Sequence, residues 1–226
     1  MAASGGQETG SPVPAFGGHD PEEKPMEDQI RIQATPSQGD PMKCSFLVDR
    51  PVFPEKSFYF ADRDRAAGSP LVERLMEIPG VETVLVSHDT ITVTKNVPDD
   101  WKSLAREIGT AIREALQSGE PPISESVLED MLPPEKIRHV VQQVIDTQIN
   151  PMVEMHGGRI RLLDVKDNVV FIEMGGGCQG CGMADVTLKS GIERVIREFI
   201  PEVGDILDVT DHASGRNPYY SPSASR

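Results

Sequence analysis

The chain has 226 residues, 38% of them hydrophobic, and its 22 basic against 36 acidic side chains give a formal net charge of −14. Such a surface repels phosphate, which excludes generic nucleic-acid binding, and no apolar run approaches the ~20 residues of a membrane span. Three cysteines are too few for a disulfide scaffold, and the opening Met1-Ala2-Ala3-Ser4-Gly5-Gly6 carries no secretory or Arg-rich transit pattern, so a reducing cytoplasm is the expected setting.

Residues 1–41 are dominated by Gly, Pro, Ser, Gln and carboxylates, show no apolar periodicity and read as a disordered tail. The first folded block runs over 42–118. Ser57-Phe58-Tyr59-Phe60-Ala61 reads as a strand, and Ser69-Pro70 as the N-cap and first residue of a helix that stops at Pro79-Gly80. Val84, Leu85 and Val86 mark another strand, His88-Asp89 a hairpin tip, and Thr90-Ile91-Thr92-Val93-Thr94 a half-buried strand of period two. Trp101, Leu104, Ile108, Ala111, Ile112 and Ala115 form a helical stripe that Gly119 ends. The order is ββαββα. Residues 119–134, with four prolines and several carboxylates, read as a semi-stiff linker.

The second block covers 135–211. Ile137, Val140, Val141, Val144 and Ile145 give a helix its inner face, and Asn150-Pro151 is expected to break it. Gly157-Gly158 turns into the strand Arg159–Leu163, and Lys166-Asp167-Asn168 turns back into Val169–Ile172. A glycine-rich loop, 175–182, precedes a helix with inner face Leu188, Ile192, Val195, Ile196 and Phe199, and Ile206–Val209 suggests a final short strand. The order is αββαβ, and residues 212–226 read as a flexible tail. The expected class is α+β with two small domains.

The chemistry lies in Cys178-x-x-Cys181. Two cysteines three apart across a turn can aim both sulfurs at one centre, and the N-terminal end of the following helix favours thiolate, the metal-binding form. The glycines around them lack Cβ atoms, so backbone N–H groups can approach a bulky anionic ligand such as an iron–sulfide cluster. Clusters and thiolate zinc sites usually take four ligands, whereas this block supplies two. A homodimer about a two-fold axis would complete the set. A cluster held by two bonds from each side is easier to hand over than one caged by a single chain. A thiol–disulfide oxidoreductase using the same pair, or a structural zinc dimer, remains open at this point. Two features count against the redox enzyme: no aromatic residue precedes Cys178, and no proline-bearing strand follows the helix. No acid–base or nucleophile constellation accompanies the cysteines, so the chain does not read as a conventional enzyme.

Longer motifs then point to a family. Asn150-Pro151, His156-Gly157-Gly158-Arg159, Gly176-Gly177-Cys178-Gln179-Gly180-Cys181, Thr187-Leu188-Lys189-Ser190-Gly191-Ile192-Glu193 and Ile200-Pro201-Glu202-Val203 resemble the NifU C-terminal, or Nfu, domain of iron–sulfur cluster assembly. Gly68-Ser69-Pro70-Leu71, Ile78-Pro79-Gly80-Val81, Ile91–Lys95 and Asp100-Trp101 resemble the Nfu N-terminal domain. The resemblance implies a scaffold or carrier of a [4Fe–4S] cluster, loaded by an upstream scaffold, held between two subunits through Cys178 and Cys181, and passed to apo iron–sulfur client proteins. It also implies that the N-terminal domain helps recognise partners and carries no cluster ligand. The His156–Arg159 form and the Asp211-His212 and Tyr219-Tyr220 tail look like bacterial members, while the first block looks like mitochondrial-type members.

Other residues read more plainly. Cys44, beside Phe46 and Val48 in a strand pattern, reads as a buried structural thiol rather than a ligand. His156 is a turn residue bonded to backbone, His88 a solvated hairpin residue, and Trp101 a core side chain of the first block. Met183 could shield a cluster or simply pack. The carboxylates of 120–130 read as solvated linker, and Tyr219 and Tyr220 as part of the tail.

Overall fold

The computed structural model describes residues 29–129, 131–176 and 182–209. Most of the tail assigned to 1–41, together with Cys178, Cys181, His212, Tyr219, Tyr220 and the side chain of Met183, lies outside the described residues.

The first domain is a five-stranded antiparallel sheet, ordered β1-β2-β5-β4-β3, with helices on one face. Its strands are β1 (Ile32–Pro36), β2 (Lys43–Val48), β3 (Phe53–Phe60), β4 (Val81–His88) and β5 (Thr90–Lys95). Alternation decides the two faces. Cys44, Phe46, Val48, Phe58, Phe60, Val84, Val86, Ile91 and Val93 point inward and are buried. Helices α2 (Pro70–Glu77) and α3 (Trp101–Gln117) cover them with Leu71, Leu75, Leu104, Ile108 and Ile112, after a short α1 (Arg63–Ala66). Each such large side chain contributes about 1.5–3 kcal/mol on burial. The tip at His88 takes φ +52, as a tight hairpin requires.

Two boundaries differ from the sequence reading. The segment assigned to a tail enters the fold: Ile30 is buried, and Ile32–Pro36 pairs with β2 from Ile32↔Val48 to Pro36↔Cys44. As an edge strand it exposes nearly every side chain, so it shows no apolar alternation, and its proline needs no ladder partner. The linker also docks. Ile123 and Val127 enter the first core, the latter on α4 (Ser126–Glu129). The Pro122 carbonyl accepts from Leu71 N–H at 3.1 Å. Ser69 Oγ accepts from Ser124 N–H at 3.0 Å and makes no capping bond to α2. The linker thus supplies acceptors and donors that the helix start lacks.

The second domain is a three-stranded sheet, β6 (Gly158–Lys166), β7 (Val169–Gly176) and β8 (Ile206–Asp208), packed on helices. β6 and β7 form an antiparallel hairpin, whereas β8 runs parallel to β7. Parallel pairing demands a long crossover, and α7 (Gly182–Phe199) lies within it. The opening helix α5 (Pro134–Val144) does not break at Asn150-Pro151. It continues through a π-turn, Ile145–Ile149, into α6 (Asn150–Glu154). In the π-turn the Asn150 N–H reaches Ile145 C=O, and the widened turn admits Pro151 at the next helix start, where a missing N–H costs little.

Candidate functional site

The cysteine loop joins two elements that the structure describes. β7 ends at Gly176 and α7 begins at Gly182, so Cys178 and Cys181 occupy a strand-to-helix connection. Unpaired N–H groups and the helix dipole favour anions at such an end. Among the described residues no group of three or more His, Cys, Asp or Glu side chains could hold a metal ion.

The approach to the loop is built from bare backbone. Gly158 pairs with Gly176 and Arg159 with Gly175 at the open end of the β6–β7 hairpin, two residues before Cys178 in the chain. Gly176 takes φ +66, and a Cβ there would stand 2.3 Å from the Gly157 carbonyl oxygen. Only glycine meets both requirements. Gly157 itself takes φ +71 in the turn that ends α6. Met152 and Met155, 54% and 83% exposed, add apolar surface at the end of α6 nearest the turn.

Asn150, expected to break the helix and counted among the family motifs, is buried here. Its Oδ1 accepts from Ile160 N–H at 2.8 Å and its Nδ2 donates to Ile160 C=O at 3.1 Å. The Asn-Pro pair carried no signal for this role, because the partner lies on a strand beyond the turn. His156 is exposed and its N–H bonds Val153 C=O at 3.0 Å, as a turn residue would.

Cys44 stands apart. Its thiol is fully buried between β1 and β5, and burial pushes it up to about 11 despite the Thr35 backbone hydrogen bond and the Lys95 charge. It is therefore a neutral thiol near pH 7 and a poor metal ligand. His88 Nδ1 accepts from Glu55 N–H at 3.3 Å, so this residue at the β4–β5 hairpin tip also ties β4 to β3 rather than being simply solvated. Trp101 is buried beside the first core, with its indole N–H on the Pro41 carbonyl at 2.9 Å.

The helix that follows the cysteines also meets the first domain. Lys43 Nζ lies 2.9 Å from Glu193, and the Arg197 guanidinium stacks 3.8 Å from the Tyr59 ring centroid while donating to the Val203 and Gly204 carbonyls. Nearby, Asp205 N–H donates to Ser57 Oγ at 3.0 Å and Asn168 Nδ2 donates to Ser57 C=O at 2.8 Å. A Cβ at Gly204 would fall 2.4 Å from Ser57 Oγ, so the domains touch there without slack. Burial raises the Asp205 carboxyl above its ordinary range, against smaller opposing effects from the Ser87 hydroxyl, Arg197 and Lys189. A cleft of about 490 Å³ remains between α7 and the outer sheet face, lined among others by Tyr59, Leu85, Thr92 and Arg194.

Comparison with known proteins agrees on both domains. The profile described as the NifU-like domain matches residues 141–207, and that of the scaffold protein Nfu/NifU N terminal matches 30–119. A NifU-like protein of Schizosaccharomyces pombe is 30% identical over 192 residues, covering 80% of this chain and 73% of that one. The protein named NFU1 iron-sulfur cluster scaffold homolog, mitochondrial, of Homo sapiens is 32% identical over 197 residues, covering 85% and 76%. The Fe/S biogenesis protein NfuA of Pseudomonas aeruginosa is 47% identical over 95 residues, covering 42% of this chain and 47% of its own.

Proposed function

This chain belongs to the Nfu/NifU-like family of iron–sulfur cluster scaffold proteins, and on that footing we propose that it carries a [4Fe–4S] cluster as cargo between two copies of itself. Cys178 and Cys181 of each copy supply the four thiolates, and the cluster passes from them to apo-proteins. The observation that supports this most is the glycine-built hairpin end at Gly157, Gly158, Gly175 and Gly176. In chain order it is followed by the CxxC segment and then by a long helix. Two cysteines per chain among glycines, at the start of a helix whose dipole favours anions, support this reading. Half a ligand set per subunit leaves the cluster exchangeable, which suits delivery.

In the first domain the single cysteine among the described residues, Cys44, is buried and neutral and does not compete as a thiolate. Its role in this reading is recognition of the apo-protein or of the upstream scaffold. Free thiolates require a reducing compartment. Among the described residues no helix is long and apolar enough to cross a membrane.

Anaerobic reconstitution with ferrous iron and sulfide tests the reading. A brown dimer with about four irons and four sulfides per two chains is expected. A colourless protein that reduces insulin disulfides would favour a thiol–disulfide oxidoreductase, and a colourless dimer with stoichiometric zinc a structural zinc site. Cys178→Ala or Cys181→Ala should abolish cluster uptake while the fold persists.

A further inference from the structure

Asn150 is a buried polar side chain that ligation by thiolates does not account for. β6 is an edge strand with β7 as its neighbour, and Ile160 turns its own N–H and C=O outward onto the Asn150 carboxamide. One side-chain amide thus takes the place of a residue in a further strand and closes the edge. The π-turn at Ile145–Ile149 brings it there. One extra residue in a turn rotates everything after it by about 100°, and the position that follows the turn is Asn150.

The consequence runs toward the cysteines. Ile160 pairs with Met174 and Gly158 with Gly176, and Cys178 follows two residues later. Whatever fixes the first residues of β6 therefore fixes the last residues of β7. We propose that Asn150 is a positioning residue: it holds the hairpin end at Gly158 and Gly176, from which the chain runs on to Cys178, and so sets how long a bound cluster stays. The proposal rests on the cluster-carrier reading. Groups that orient ligands from behind typically change metal retention 10–100-fold when removed.

The test compares Asn150→Ala with Val153→Ala in the full chain. Val153 is buried on the same short helix but makes no polar contact to β6. In the apo protein, Asn150→Ala should speed amide exchange at Ile160, whose N–H loses its partner. In the reconstituted dimer, loss of visible absorption to a ferrous chelator should be about tenfold faster for Asn150→Ala, and within about twofold of wild type for Val153→Ala. Asn150→Asp keeps the acceptor for Ile160 N–H and loses the donor, so its cluster lifetime should fall between. The proposal is overturned if Asn150→Ala exposes Ile160 yet retains its cluster as wild type does, or if Val153→Ala loses it equally fast. Should Asn150→Ala fail to fold, a wild-type lifetime in Asn150→Asp overturns it instead. A wild-type chain that takes up no cluster overturns the carrier reading and this proposal with it; the other failures leave the carrier reading intact.

Discussion

Replacing Gly176 by alanine sets two costs against the hairpin end that leads into the cysteine loop. The first is conformational. Gly176 sits at φ +66, and an L-residue in that region costs about 1–2 kcal/mol. The second is steric. The new methyl would stand 2.3 Å from the Gly157 carbonyl oxygen, where ordinary contact begins near 3.4 Å. That oxygen belongs to backbone and cannot rotate away, so the strands must separate. Weakening the adjacent Arg159–Gly175 pairing costs about one further hydrogen bond, roughly 1 kcal/mol. The sum is about 2–3 kcal/mol, which in a small domain lowers the melting temperature by roughly 8–24 °C. Thermal unfolding of the apo protein followed by far-UV circular dichroism measures it, and reconstitution of the same sample measures cluster uptake. The expected result is a lower melting temperature with cluster content well below wild type. Unchanged melting together with full cluster content would refute the reasoning, because the close approach would then have no structural or functional weight.

Cys44→Ser places a hydroxyl in a fully buried site and should destabilise the first domain by about 1–3 kcal/mol, read by urea unfolding, while iron content per dimer stays at the wild-type level. In the apo wild type at pH 7, an alkylating reagent should modify two cysteines quickly and Cys44 only on unfolding, since burial holds its thiol at about 11; rapid triple labelling would contradict this. Domain docking should depend on pH through Asp205. Its carboxyl is raised in the docked state, chiefly by burial, so its contribution is fully present below the ordinary carboxylate range and is lost as pH rises through the raised value. Nitrogen-15 relaxation should show the two domains tumbling more independently at high pH, and Asp205→Asn should remove that dependence; an identical pH response in the variant would speak against Asp205 as its source.

The sequence alone determined most of the second domain, because its signals are local. The continuous apolar Val169–Ile172 run, the Leu188–Ile196 stripe and the glycines at 157–158 and 175–177 each specify their own element. The CxxC pair by itself left cluster, disulfide and zinc chemistry open, and the longer motifs around it pointed to the family. The α+β class and the helix from Trp101 to Gln117 were legible for the same reason. Only the tertiary structure decided the rest. The edge strand Ile32–Pro36 and the docked segment around Ile123 and Val127 take their structure from partners far along the chain, and they carry no periodicity of their own. Asn150-Pro151 looked like a helix stop because proline removes a local hydrogen bond. The π-turn before it relieves that constraint, and a strand beyond the next turn gives Asn150 its two partners. The contact of Ser57 with Asn168 and Asp205 joins residues more than a hundred positions apart. Propensity and pattern act within a few residues, whereas the satisfaction of buried polar groups is settled only where distant segments meet.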